Sequence, residues 1–104
     1  MVPHTVFEKA GGFDEHYFLF NEDVDLCRAI HQNGFKVIYF PFAKITHHIS
    51  TSNSKVPVDI IIKRHLGMSY YYGKNHGGNL VARMIVNIFI SLRCLSQLAF
   101  NIFK

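Results

Sequence analysis

Five carboxylates fall within twelve residues, at Asp14, Glu15, Glu22, Asp23 and Asp25, in the run Gly11-Gly12-Phe13-Asp14-Glu15-His16-Tyr17-Phe18-Leu19-Phe20-Asn21-Glu22-Asp23-Val24-Asp25-Leu26-Cys27-Arg28. Three of them, Glu22, Asp23 and Asp25, meet the predicted first turn of a helix, where the helix N-terminus favours the ionised form. An ionised Asp at the rim of a cleft can take the proton from a sugar hydroxyl as that hydroxyl attacks an anomeric carbon. The two glycines let backbone approach a ligand, and the aromatic side chains offer flat surfaces for a sugar ring. Taken alone the pattern is weak, because acidic residues at a helix start more often only cap it. A second group with chemical potential, Lys63, Arg64, His65, Lys74 and His76 around Tyr70-Tyr71-Tyr72, forms a basic patch suited to diphosphate, lipid phosphate or an anionic headgroup. A solvated helix face with aromatic packing explains that patch equally well.

The elements that must position these residues are legible in outline. Val6, Phe7 and Ala10 are spaced as a short helix that ends at Gly11-Gly12. A loop dense in aromatics follows over 13–20. Residues 22–33 predict a helix with Leu26, Cys27 and Ile30 on one face, Asn21 as its cap and Gly34 as its stop. Lys36-Val37-Ile38-Tyr39-Phe40 reads as a strand closed by Pro41, and Ala43 to His47 as a second short strand. A Ser/Thr/Asn-rich loop occupies 49–57. Helical periodicity resumes over 58–72, with Gly73 and then Gly77-Gly78 as breaks. Residues 79–104 predict a long helix without Gly or Pro. The domain plan that follows is an acceptor-side catalytic part at 1–57, a helical connector at 58–78 and an amphipathic helix at 79–104.

That last helix sorts into two faces. Arg83, Asn87, Ser91, Arg93, Gln97, Asn101 and Lys104 fall on one, and Met84, Ile85, Ile88, Phe89, Leu92, Leu95, Ala99, Phe100, Ile102 and Phe103 on the other. With no acidic residue from Leu80 onward, this pattern suits an anionic membrane surface, or packing on a partner helix or missing domain. No window reaches eighteen uncharged apolar residues, so a simple membrane span is not expected. The chain is 104 residues long and carries a formal net charge of +4, yet shows no zinc, helix-turn-helix or RNA-binding signature, so nucleic acid is not the expected partner. Cys27 and Cys94 lie far apart without metal-type spacing and are expected to be reduced, buried thiols in a cytosolic compartment.

Gly-Gly-Phe-Asp-Glu, then Phe-Leu-Phe, then Glu-Asp-Val-Asp-Leu-Cys-Arg resembles the C-terminal motif of the family-2 inverting glycosyltransferases, in particular their bacterial rhamnosyltransferase-like group. Gly34, Pro41, His47 and Ser52 occupy the places where that pattern continues. The match covers about 5–52, and more loosely 63–76. The resemblance implies an α/β fold, the C-terminal part of a GT-A-type domain. It implies that Asp23 is the general base and that Glu22 orients the base or the acceptor. Asp25 and Arg28 brace the helix start and can reach the acceptor, while Gly12, Phe13 and Asp14 line the acceptor pocket. His47 is implied to approach a diphosphate-bound divalent metal, Mg²⁺ or Mn²⁺, although strand alternation with one His inward and one outward is the plainer reading of His47-His48. The implied reaction moves a sugar such as rhamnose from a nucleotide-diphosphate donor to a glycan or lipid-linked acceptor, with inversion, at the cytoplasmic face of the cell membrane. The nucleotide-binding half of such an enzyme has no counterpart here, so the chain alone is expected to be inactive and to need that half or a partner subunit. The alternative is a non-enzymatic membrane-surface module or one subunit of a split transferase.

Overall fold

The computed structural model of the chain describes residues 1–46 and 56–103. It holds four helices: α1 (His4–Lys9), α2 (Glu22–Gln32), α3 (Val58–His76) and α4 (Leu80–Phe103). α1 packs on α2, and α3 packs along α4.

Glycine ends the first two helices in the same way. The amide of Gly11 donates to the Glu8 carbonyl and that of Gly12 to Phe7, with Gly11 at φ +84. The amide of Gly34 donates to His31 and that of Phe35 to Ile30, with Gly34 at φ +82. Both are paired closures of the last turn around a left-handed residue, which a side chain would resist.

The start of α2 departs from expectation. Asn21 occupies the cap position, but its side chain makes no capping bond, and its backbone is left-handed at φ 69. Phe20 before it is also left-handed, at φ 65. For a bulky residue such as Phe that conformation costs on the order of 1–2 kcal/mol. Asn21→Gly removes part of the strain and also an amide nitrogen that is buried without a partner. It is expected to raise stability by about 0.5–1 kcal/mol, read as a higher urea midpoint; a lower midpoint would show that the side chain holds the turn.

The expected α/β fold is not what forms. Among the described residues there is no strand, and the regular structure is entirely helical. Lys36–Phe40 has no regular structure, and Val37, Ile38, Tyr39 and Phe40 are all exposed. A strand exists only through hydrogen bonds to a neighbouring strand, and no described segment supplies one. Ala43–Thr46 likewise stays irregular; His47, the end of the second expected strand, lies outside the described residues. The GT-A-type sheet is therefore absent from them.

Gly73 does not end α3; the helix runs on to His76. A Cβ at Gly73 would sit 3.1 Å from the Arg83 guanidinium, so this glycine admits the crossing of α4. The helix stops at Gly77, where a side chain would strike the Gly73 carbonyl oxygen. Asn79 then caps α4, its Oδ1 accepting from the amides of Val81 at 3.0 Å and Ala82 at 3.4 Å.

α3 and α4 form an antiparallel hairpin: Arg83 crosses Gly73, Ser69 donates to Asn87 at 2.7 Å, and Asn101 donates to the Val56 carbonyl at 2.9 Å. The face of α4 that meets α3 is mixed, with Asn87, Gln97 and Asn101 half-buried beside Val86, Ile90, Cys94 and Leu98. The apolar face is left outside, with Phe89 68% and Phe103 89% exposed, and α4 has no buried residue. A water-soluble helix usually covers such a stripe. By length and composition α4 is also apolar enough to cross a membrane, which the sequence reading did not expect. The buried apolar side chains are few: Tyr17, Leu26, Ile30 and Ile61, joined by Asp25 and His65. Cys27 is exposed and Cys94 half-buried, both free, so the expected burial of Cys27 is not met.

Candidate active site

The aromatic loop over 13–21 is seated on the middle of α3. Gly67 makes the approach possible, since a Cβ there would lie 3.0 Å from Asn21 Nδ2 and 3.8 Å from the Tyr17 ring. Tyr17 is buried edge-on against Tyr70, with ring centroids 5.1 Å apart, and His16 stacks on Tyr70 at 5.3 Å. Two cations of α3 lie over rings of the loop, Lys63 3.7 Å from the Phe18 centroid and Arg64 4.6 Å from that of Phe20.

At the far end of α3, Lys74 sits between two carboxylates. Its Nζ donates to Asp14 Oδ2 at 2.7 Å and to Asp25 Oδ2 at 2.6 Å. The Tyr70 hydroxyl also donates to Asp14 Oδ2 at 3.0 Å, and the His16 amide to Asp14 Oδ1 at 2.9 Å. Asn75 Nδ2 donates to Asp25 Oδ1 at 2.9 Å, while Arg28 donates to the Asn75 carbonyl at 3.1 Å and lies 3.4 Å from His76 Nε2. The Lys74 hydrogen bond, helped by the His16 amide, holds the Asp14 carboxyl far below the usual carboxylate range. The same two carboxylates push Lys74 up. Burial, with the Asp25 charge behind it, pushes Tyr17 up to about 12. This network ties loop, α2 and α3 together, with Lys74 shared between the two carboxylates.

The structure therefore sorts the sequence-predicted site. Asp14, Asp25 and Arg28 are brought together as a brace on α3, with Asp25 only 6% exposed. Asp23 stands apart from them: exposed on the first turn of α2, with its Oδ1 accepting only from the amide of Val24 at 2.8 Å. Glu22 beside it is half-buried, and one of its oxygens, Oε2, is buried without a partner. Gly12 is left-handed at φ +71 under the Phe7 ring, and Phe13 is exposed, edge-on to Phe7 at 5.4 Å. His47 lies outside the described residues, as does His48. Among the described residues no group of three or more His, Cys, Asp or Glu could hold a metal ion, so they do not form a divalent-metal site by themselves.

The basic patch is also resolved. Lys74 and His76 belong to the brace, and His65 is buried with its Nδ1 donating to the Ile61 carbonyl at 2.7 Å. What sequence reasoning missed is the pairing of Lys74 with Asp14 and Asp25 across 60 and 49 residues. Opposite charge was the only signal, and it does not choose among partners.

Over 78 residues, 75% of its length, the chain is 32% identical to an N-acetylglucosaminyl-diphospho-decaprenol L-rhamnosyltransferase of Mycobacterium tuberculosis, with the same figures in two strains. The resemblance to rhamnosyltransferases holds. The chain spans about a quarter of the length of these relatives. No protein-family model matches it, and no solved structure does either.

Proposed function

We propose that this chain is the acceptor-side portion of a glycosyltransferase that moves a sugar, rhamnose by analogy with its relatives, from a nucleotide-diphosphate donor to a lipid-linked or surface-polysaccharide acceptor. Asp23 takes the proton of the attacking hydroxyl. The oxygen of that hydroxyl bonds to the anomeric carbon as the bond to the nucleoside diphosphate breaks, so configuration inverts in one displacement. Glu22 orients the acceptor, and the turn at Gly12 and Phe13 forms part of its bed. Asp14, Asp25 and Arg28 hold the loop and α2 in register. The observation that carries this reading is the sorting of the carboxylates: Asp14 and Asp25 are locked on Lys74, while Asp23 is exposed and free of cations. The test is transfer of labelled rhamnose from its nucleotide donor to a lipid-linked acceptor by the protein that contains this chain together with a donor-binding part. Absence of transfer in that complete system would sink the reading.

The exposed apolar stripe of α4 favours attachment to the inner face of the cell membrane. Spanning is disfavoured because Arg93 sits at the middle of α4, and a guanidinium at the bilayer centre costs about 2.5–3.5 kcal/mol. Lying flat instead leaves Arg93 at the headgroups while Phe89 and Leu92 enter the acyl boundary. Burying those two side chains is worth about 3 kcal/mol together, so Phe89→Gln with Leu92→Gln is expected to weaken vesicle binding by on the order of 100-fold. Co-sedimentation with anionic vesicles reads this, and undiminished binding would turn attention from α4 to another surface.

A further inference from the structure

An open groove of about 470 Å³ runs between α3 and the C-terminal half of α4, lined by Arg64, Arg93, Ser96, Gln97 and Phe100. Neither arginine makes an ion pair among the described residues. From Val56 to Phe103 the sole acidic residue is Asp59, and it pairs with Lys63 at 3.4 Å. Two cationic side chains lining one groove repel each other, and among the described residues no carboxylate pairs with either. Arg64 is already ordered against the Phe20 ring, which reduces the entropy it loses on binding an anion. Phe100 opens the groove onto the exposed apolar stripe of α4, itself 72% exposed. Anionic and apolar binding surfaces thus adjoin.

We propose that this groove holds the diphosphate of a diphosphate-headed lipid whose hydrocarbon chain lies along the apolar stripe of α4. The proposal rests on the reading of the chain as part of a transferase with a lipid-linked acceptor, and it names the place where that acceptor is held. Planar guanidiniums suit a diphosphate because each can donate two parallel hydrogen bonds to phosphate oxygens. The Gln97 amide supplies a further donor.

The experiment compares binding of the chain to phosphatidylcholine vesicles doped with undecaprenyl diphosphate or, at equal surface charge, with phosphatidylglycerol. A preference of about tenfold or more for the diphosphate lipid is expected, and Arg64→Gln or Arg93→Gln should each remove most of it. Arg64→Lys and Arg93→Lys keep the charge and should retain part of the preference, with helix content followed by circular dichroism. Arg83→Gln, outside the groove, should leave it unchanged. Equal binding to the two vesicle types, or a preference that survives both Gln variants, overturns the proposal. If soluble inorganic diphosphate binds as tightly as the lipid, the apolar stripe takes no part and the lipid assignment falls. No sugar donor is present, so failure here leaves the transfer reading standing, and failure of transfer leaves this binding result standing.

Discussion

Sugar transfer is expected to fall about 10³-fold when Asp23 becomes Asn, the middle of the range for loss of a general base. Stability should barely move. Asp23 is exposed and its side chain meets only its neighbour's amide, so the substitution removes no long-range contact. Its carboxylate interacts with the N-terminus of α2, and losing that interaction costs about 0.3–1 kcal/mol. Asp25→Asn makes the informative contrast. Asp25 is buried and bonded to Lys74 and Asn75, so its replacement should lower activity and stability together. Transfer to a lipid-linked acceptor, measured as kcat and KM separately, distinguishes the two cases, because loss of a base acts on kcat. Asp23→Glu should retain more activity than Asp23→Asn. An Asp23→Asn protein with undiminished kcat would show that another group takes the proton.

The second large effect concerns folding. Lys74→Met leaves Asp25 buried beside Asp14 with no cation between them. Removing one partner of a fully buried pair costs about 3–5 kcal/mol, but the Lys74 side chain is 39% exposed and water screens part of the loss. A drop of about 2–3 kcal/mol is therefore expected. Against a total stability of about 5–15 kcal/mol for a domain, that is a large share. Urea unfolding checks it, and the double variant Asp25→Asn with Lys74→Met should recover part of the loss by removing the stranded charge.

Asp14 and Lys74 set the dependence on pH. Asp14 has its pKa lowered in the folded chain, so its contribution is fully present above the ordinary 3.8 and is lost as pH falls toward the folded value. Lys74 has its pKa raised, so its contribution is present below the ordinary 10.5 and is lost as pH rises beyond it. Tyr17 works in the same direction on the alkaline side, since its pKa rises from 10.0 to about 12. A plateau between these limits is expected for the wild type. In Lys74→Met the acid decline should become shallower; an unchanged decline would mean that Lys74 is not what holds Asp14 ionised.

Much of the local structure could be read from residue order. The ends of α1 and α2 follow from Gly11 and Gly34, because a left-handed residue after a helix is a demand that glycine alone meets cheaply. The two faces of α4 follow from its 3.6-residue periodicity. The acidic motif carried the resemblance to rhamnosyltransferases, and the chain's likeness to one of them accords with that resemblance. These signals involve residues within one or two turns of each other, so the chain needs no distant partner to express them.

Packing decided the rest. Lys36–Phe40 has every strand-favouring side chain, yet a strand is completed by another backbone, and none lies beside it among the described residues. Gly73 looked like a helix break and is a place where α4 crosses, because the need for a missing side chain arises from Arg83 ten residues later. Amphipathicity announced that α4 has two faces but not which would turn inward; the face bearing Asn87 and Asn101 does, together with Val86, Ile90, Cys94 and Leu98, and the more apolar stripe stays outside. The roles of the carboxylates divided in the same way. Asp14, Asp23 and Asp25 are chemically identical in sequence, and only the placement of Lys74 from the other end of the chain binds two of them and leaves the third open to solvent.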